Sequence, residues 1–219
     1  IEEGLKNLEI KYPILSEEGG LADYDTRKKW DRYWLVDPLD GTKEFINKNG
    51  EFTVNIALIE GCKAILGIVY VPVTGVLYYG LDQKELNISF AIKETDDSKQ
   101  ELSVSKVNFG TDLVVVGSRR HGAEALDALL KSIEPQFSSL KLVSMGSSLK
   151  ICAIAEGSAH WYPRLALTSE WDTAAAHAIL NGAGGSILNA DLDTLNYNQK
   201  ESLLNPYFHA LGDQKFDWK

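Results

Sequence analysis

The sequence has 219 residues, of which 44% are hydrophobic and 24% are charged, and its formal net charge is −9. This composition is typical of a globular protein with one large domain or two small ones. Because the acidic chain has no basic stripe, we do not expect it to bind a nucleic-acid polymer. No apolar run approaches the ~20 residues of a transmembrane helix, and residues 1–5 lack the features of a signal peptide.

The first half of the sequence is predicted to be rich in β-strands. A helix is expected at residues 2–9, and the charged segment 17–32, with two adjacent glycines, is expected to be a mobile loop. Glu60 and Gly61 are predicted to form a hairpin turn. Apolar or alternating runs predict strands at residues 12–15, 33–36, 52–59, 64–71, 76–79, 86–92 and 101–105.

The second half alternates between strands and helices, which indicates a layered β/α region. The change of character places a boundary between residues 1–105 and residues 106–219. Strands are predicted at residues 113–116, 140–143, 159–163 and 186–188, and helices at residues 123–133, 148–156 and 173–181.

Two carboxylates, three residues apart, follow the apolar strand of Val36. Asp37 and Asp40 could aim at one point together with the Leu39 carbonyl, because proline fixes one backbone angle between them and the next glycine permits a sharp turn. Hard cations such as Mg²⁺ prefer such oxygen-only sets. An ordinary turn with solvated carboxylates fits the same residues equally well.

A short helix is expected to begin at Thr42, directly after this turn. Its first amide groups would face the same point and could hold a phosphate. The Thr42 hydroxyl could orient a nucleophilic water, or it could cap the helix. The two roles are left open by the sequence.

Other polar residues stand beside predicted elements, each with an ordinary structural alternative. Glu17 follows a strand and could equally belong to an acidic loop, and Asp172 precedes an alanine-rich helix that it could cap. Ser147 and Lys150 belong to a glycine-serine turn that could hold an anion, or could be an N-cap followed by a surface lysine. Arg164 suits bidentate phosphate contact.

Charged residues lie at the boundaries of five predicted elements, at residues 17, 37–40, 118–121, 164 and 172. The basic cluster at residues 118–121 would by itself be a solvated loop. Because ligands bind at the strand ends of layered sheets, this convergence predicts one shared ligand site.

Three motifs carry a family resemblance. L-S-E-E from Leu15, W-L-V-D-P-L-D-G-T-K-E-F from Trp34 and W-D-T-A-A from Trp171 resemble the lithium-sensitive, Mg²⁺-dependent phosphatases of the inositol monophosphatase superfamily. The match covers nearly the whole chain, and D-P-x-D-G-T paired with W-D-x-A-A is specific to that superfamily. The G-T-K-E-F, N-G-E-F-T-V-N-I-A-L-I, G-S-S-x-K and L-N-P segments look like the CysQ branch, whose members convert adenosine 3′,5′-bisphosphate to AMP and phosphate.

The resemblance implies a layered αβαβα sandwich with the active site between an α+β half and an α/β half. It also implies two or three Mg²⁺ ions, inhibition by Li⁺ and a small nucleotide bisphosphate as substrate. The first Mg²⁺ would be bound by Glu17, Asp37, the Leu39 carbonyl and Asp40, and the second by Asp37, Asp40 and Asp172.

The resemblance also assigns roles in catalysis and substrate binding. Thr42, with Glu17, would orient the attacking water, and the amides of Gly41 and Thr42 would hold the phosphate. The nucleotide and its second phosphate would be held by Ser118, His121, Ser147, Lys150 and Arg164.

One family feature is missing from the sequence. Family members begin with a helix pair that carries a T-x-A-D segment, whose aspartate helps to position a third metal and the water. The sequence starts after that point, and we expect the segment to be disordered in the absence of metal rather than truncated.

Two rival functions are compatible with the same residues. An inositol monophosphatase or sugar bisphosphatase would share the metal site, although those enzymes usually have G-T-x-N-F where this chain has Lys43, Glu44 and Phe45. A catalytically inactive binding protein is the second rival, but the acidic set is retained. Cys62 and Cys152 have no ligand spacing, so we expect reduced thiols and a cytoplasmic protein, with peripheral association at the inner membrane as a further option.

Overall fold

The computed structural model describes residues 1–117 and 123–218, in which two β-sheets enclose a helical layer. The first sheet has seven strands in sequence order, with a parallel first pair and antiparallel neighbours thereafter. Its strands are β1 (Ile14–Ser16), β2 (Arg32–Asp40), β3 (Thr53–Glu60), β4 (Lys63–Val71), β5 (Val76–Gln83), β6 (Ile88–Glu94) and β7 (Lys99–Glu101).

The strands of the first half are confirmed, with one clear shift at the last of them. β7 ends at Glu101, whereas the prediction began there and continued to residue 105. The Leu102 amide still donates to the Ala91 carbonyl of β6 at 2.8 Å, whereas the Val104 amide donates to the Ala183 carbonyl at 3.1 Å. The side chains of both residues pack against the core.

The second sheet has five strands in the order β11-β12-β10-β8-β9. β12 pairs antiparallel with both neighbours and was not predicted, since a four-residue run containing a histidine has little periodicity. The strands are β8 (Asp112–Gly117), β9 (Ser139–Ser144), β10 (Trp161–Arg164), β11 (Ser186–Asn189) and β12 (Phe208–Leu211).

Six α-helices connect or cover the sheets in the part of the chain that is described: α1 (Glu2–Lys6), α2 (Tyr24–Arg27), α3 (Thr42–Ile46), α4 (Ala123–Ile133), α5 (Leu149–Ala155) and α6 (Glu170–Gly182). α5 and α6 lie between the sheets, and α4 packs on the far face of the second sheet. These layers, in the order sheet, helices, sheet, helix, correspond to four of the five layers of the predicted αβαβα sandwich. Over the same residues, no helix combines the length and apolar character needed to cross a membrane.

The segment 17–32 is not the irregular loop that was predicted. It contains α2, whose Arg27 is buried, donates to the Asn198 side chain and also donates to the Lys200 carbonyl at 2.9 Å. The sequence did not indicate this helix because it has no apolar face. Its single buried residue is an arginine.

α6 packs directly on the first sheet because two strands have glycines where the helix crosses them. A Cβ atom on Gly67 of β4 would overlap the Ala175 carbonyl of α6, and one on Gly80 of β5 would lie 2.9 Å from the Ile179 Cα. Interiors packed at this density leave no room for an extra methyl group. The position of α6, and of the residues in its first turn, is therefore fixed against the sheet backbone.

Candidate active site

The end of β2 carries both aspartates of the D-P-x-D motif on a strand, so the sharp turn comes only after them. Side chains three apart on a regular strand face opposite sides of the sheet. Here Asp37 pairs with Asn55 and Asp40 pairs with Thr53, so three steps along β2 match two along β3. This β-bulge adds one residue, which returns both carboxylates to the same side.

The chain turns after Asp40, at Gly41. Its φ of 90° is in the left-handed region that glycine adopts without strain, and a Cβ atom there would overlap the Ser147 hydroxyl. Gly41 is the N-cap residue of α3. Thr42 is therefore not the helix cap; it is the first residue of α3, and it is exposed.

Asp172 reaches the site from the first turn of α6. The helix begins at Glu170, with Ser169 as its N-cap residue, so the predicted cap role of Asp172 is wrong. Asp172 is instead the third helical residue, and one of its carboxylate oxygens accepts the Ser169 amide at 2.8 Å, as in a capping box. The prediction placed the start of the helix three residues late because an N-cap aspartate and an N3 aspartate look alike in sequence.

Three carboxylates converge at this point. One oxygen each from Asp37, Asp40 and Asp172 lies within 4.8 Å of the others, and Asp37 is only 1% exposed. Glu17 is exposed and outside this set, although its amide donates to the Val36 carbonyl at 3.1 Å, beside the end of β2. A compact cluster of carboxylate oxygens fits a hard divalent cation.

Burial and mutual repulsion disfavour the charged forms of these acids. Burial, followed by the charge of Asp40, raises the pKa of Asp37 to about 9. The same two causes raise the pKa of Asp172 to about 7. The charge of Glu17 adds to both shifts. A bound dication would reverse this balance by favouring the ionised carboxylates.

These shifts predict that the metal-free protein loses stability as pH rises. Asp37 stays protonated in the folded chain but is ionised in the unfolded chain above its ordinary pKa of 3.8, so the folded state binds the extra proton up to about pH 9. We expect the free energy of unfolding to fall by about 1.4 kcal/mol per pH unit from this group. Asp172 adds to the loss up to its own pKa of about 7.

The measurement is urea unfolding in EDTA between about pH 7.5, one unit above the ordinary histidine pKa of about 6.5, and about pH 8, where Lys150 titrates. Repeating the series in saturating Mg²⁺ provides the control, and there the downward slope should disappear. A metal-free slope of zero would contradict the raised pKa of Asp37.

The Asp40 carboxylate accepts hydrogen bonds from three residues that were not predicted to belong to the site. One oxygen, Oδ2, accepts from the Ser148 amide at 2.7 Å, the Thr53 hydroxyl at 3.2 Å and the Asn55 side-chain nitrogen at 3.2 Å. Thr53 and Asn55 occupy alternate, inward-facing positions at the start of β3, where the same face is otherwise apolar. Polar residues at such positions are the signal that could have identified them.

An open cavity of about 230 Å³ adjoins the carboxylates. Asp40 and Asp172 form part of its wall, and the lining also includes four of the predicted substrate-binding residues, Gly41, Ser147, Lys150 and Arg164. Aromatic walls come from Tyr162 and Phe208. The cavity thus combines an acidic edge with cationic and aromatic surfaces, which suits an organic phosphate bound beside a metal.

Lys150 is buried and fastens the loop before α5. Its ammonium group donates to the Ser147 carbonyl at 2.7 Å and the Met145 carbonyl at 3.3 Å, and lies over the Tyr162 ring. Burial lowers its pKa to about 8. Lys150 therefore supports the cavity wall through these bonds, a role beyond the predicted contact with substrate.

Ser147 and Arg164 also make bonds within the protein. The Ser147 hydroxyl donates to the Asp40 carbonyl at 2.9 Å, and Ser147 has a positive φ of 47°, which is uncommon for a residue with a side chain. Arg164 donates to the carbonyls of Ala166 and Leu167 at 3.1 and 3.0 Å. Ser118 and His121 lie outside the described residues.

The layered sandwich and its carboxylate cluster define a class of divalent-metal-dependent hydrolases. A sequence model described as the inositol monophosphatase family matches residues 2–215. The chain belongs to this family.

Among its relatives, 3′(2′),5′-bisphosphate nucleotidase CysQ of Salmonella typhimurium is 48% identical over 210 residues, which cover 96% of this chain and 80% of that protein. A crystal structure of CysQ from Bacteroides thetaiotaomicron matches with a TM-score of 0.83 and 38% identity, covering 94% of this chain and 79% of that one. Inositol monophosphatase II from Staphylococcus aureus matches at 22% identity with a TM-score of 0.74, covering 96% and 73% of the two chains, which shows the shared fold. The resemblance to the CysQ branch is confirmed.

Proposed function

We propose that this protein hydrolyses the 3′-phosphate of adenosine 3′,5′-bisphosphate to give AMP and inorganic phosphate. The observation that carries the proposal is the cluster of Asp37, Asp40 and Asp172 beside a cavity lined by Lys150 and Arg164. The nucleotidase names of the CysQ relatives support the choice of substrate. A small nucleotide with two phosphates matches the mixed acidic, cationic and aromatic walls of the cavity.

The proposed metal is Mg²⁺, with two or three ions per site and competition from Li⁺. The carboxylates of buried Asp37 and of half-buried Asp40 and Asp172 would hold it, and Glu17 and the Leu39 carbonyl would complete the set. When bound, such ions lower the pKa of water and stabilise charge on the attacking and leaving oxygens. An oxygen-only donor set at this spacing fits a hard dication.

The remaining residues would position the substrate and the water. Thr42 is exposed at the start of α3, where its hydroxyl would orient the attacking water together with Glu17. The amides of Gly41 and Thr42 would donate to the phosphate that is cleaved. The nucleotide and its second phosphate would contact Ser118, His121, Ser147, Lys150 and Arg164.

We further propose that residues 1–105 and 106–219 form two halves with the site between them. The first sheet lies in the first range, the second sheet lies in the other, and the cavity wall draws on both. We also propose a cytoplasmic location, which the two free thiols Cys62 and Cys152 support.

The substrate is tested by comparing phosphate release from adenosine 3′,5′-bisphosphate and inositol 1-phosphate over a Mg²⁺ titration. We expect kcat/KM to favour the nucleotide by at least about 10²-fold, because the cavity offers groups for a second phosphate and a base. A preference for the inositol ester would overturn the substrate assignment. Calorimetric binding of the nucleotide without turnover would indicate an inactive binding protein.

A further inference from the structure

We propose that Asn55 is a positioning residue that orients the Asp40 carboxylate for cation binding. This inference rests on the proposed metal site, and it concerns a residue that only assists the ligands. Asn55 lies on β3 and is 1% exposed, opposite Asp37 across the strand pair.

The amide of Asn55 has both of its N–H groups directed at acceptors. Its nitrogen lies 3.2 Å from Asp40 Oδ2 and 2.9 Å from the Ser148 hydroxyl oxygen. Because an ionised carboxylate only accepts hydrogen bonds, the nitrogen of the amide must face Asp40. Two N–H groups and two acceptors therefore match one to one.

Thr53 cannot replace this donor. Its hydroxyl lies 3.2 Å from Asp40 Oδ2 and 3.0 Å from Asn55 Oδ1, but it has a single proton to share between them. Asn55 can donate one proton to Asp40 and another to Ser148 at the same time. The single Thr53 proton must be shared between Asp40 and Asn55.

The same amide connects Asp40 to the helix that carries Asp172. Ser148 accepts from Asn55 and donates its own proton to the Asp172 carbonyl at 2.8 Å, while its amide donates to Asp40 at 2.7 Å. These bonds join the end of β2, the start of α5 and the first turn of α6. They fix the spacing between two of the three carboxylates.

The arrangement also decides which oxygen of Asp40 is available. Oδ2 lies within hydrogen-bond distance of three donors, so Oδ1 is the oxygen left for a cation. A neutral amide achieves this without adding charge to an already repulsive cluster. Partners of this kind, placed behind the ligands, typically contribute 10- to 100-fold to metal affinity.

The test is Mg²⁺ binding by calorimetry on the whole protein, with kcat and KM for adenosine 3′,5′-bisphosphate measured in parallel. Asn55→Val, which keeps a strand-forming side chain without donors, is expected to weaken Mg²⁺ binding by at least about tenfold. Excess Mg²⁺ should restore much of kcat, and KM for the nucleotide at saturating Mg²⁺ should stay within about twofold. A side chain that serves only packing would not produce a defect that depends on Mg²⁺ concentration.

Ile59→Val serves as the matched control, because Ile59 is buried on the same strand and the same face. It should lower the melting temperature without changing Mg²⁺ affinity. If Asn55→Val does not fold, Asn55→Ser takes its place, since a hydroxyl has one proton for two acceptors.

Unchanged Mg²⁺ affinity in a folded Asn55 variant would overturn the inference. Weakened Mg²⁺ binding in a protein that does not hydrolyse the nucleotide would support the inference and remove only the proposed substrate. A wild-type protein that binds no Mg²⁺ would overturn both.

Discussion

Replacing Asp37 by Asn is expected to reduce phosphate release from adenosine 3′,5′-bisphosphate by at least about 10³-fold. Asp37 is the most buried carboxylate of the cluster and has an oxygen within 4.8 Å of one from each of two others, so its loss removes charge where a dication would sit. The shape of the site is retained, because an Asn oxygen can still accept the Leu39 amide, now 2.9 Å from Asp37. The measurement is phosphate release in saturating Mg²⁺.

The same substitution should raise the melting temperature of the metal-free protein. Burial and repulsion raise the pKa of Asp37 to about 9, so a neutral amide removes an unfavourable group. Asp96→Asn, an exposed change of the same chemistry, should alter neither property. Near-normal turnover in the Asp37 variant would refute its assignment as a metal ligand.

Replacing Gly67 by Ala is expected to destabilise the protein by about 3 kcal/mol or more. The added methyl group would overlap the Ala175 carbonyl, which is backbone and cannot rotate away. α6 would have to move off the sheet and would take Asp172 with it. We therefore expect weaker Mg²⁺ binding along with lower stability.

Stability is measured by urea unfolding, and Mg²⁺ affinity by calorimetry. Gly20→Ala is the control, because a Cβ atom there would meet nothing within 4 Å. Its effect should stay within about 0.5 kcal/mol. Equal stability of the two variants would show that α6 does not press on the sheet at Gly67.

Three of the acidic residues that the sequence singled out, Asp37, Asp40 and Asp172, lie together in the structure. They could be recognised because their sequence patterns are local. An apolar strand that ends in Asp37 and Asp40, and a second aspartate-containing motif before an alanine-rich helix, are visible as patterns. The glycine-serine turn with Ser147 was also recognised, and the structure places it against the Asp40 carbonyl.

Features that depend on pairing between distant segments were not predictable. The bulge between Asp37 and Asp40 exists only relative to the register of β3, so the local residues did not indicate it. The alternation along β3 indicates that Thr53 and Asn55 face inward, but their contact with Asp40 follows from the pairing of β2 with β3. Helix α2 was not predicted because the burial of its Arg27 depends on hydrogen-bond partners some 170 residues away in sequence.

The close contact between α6 and the first sheet has a consequence for the thermodynamics of ion capture. Because backbone touches backbone at Gly67 and Gly80, Asp172 has its position before any ion arrives. The conformational entropy of bringing the carboxylates together is then lost during folding. It does not reduce the affinity of the folded protein for the ion. Such a site resembles a rigid chelator, in which selectivity among cations is set by their radius rather than by the readiness of the protein to adapt.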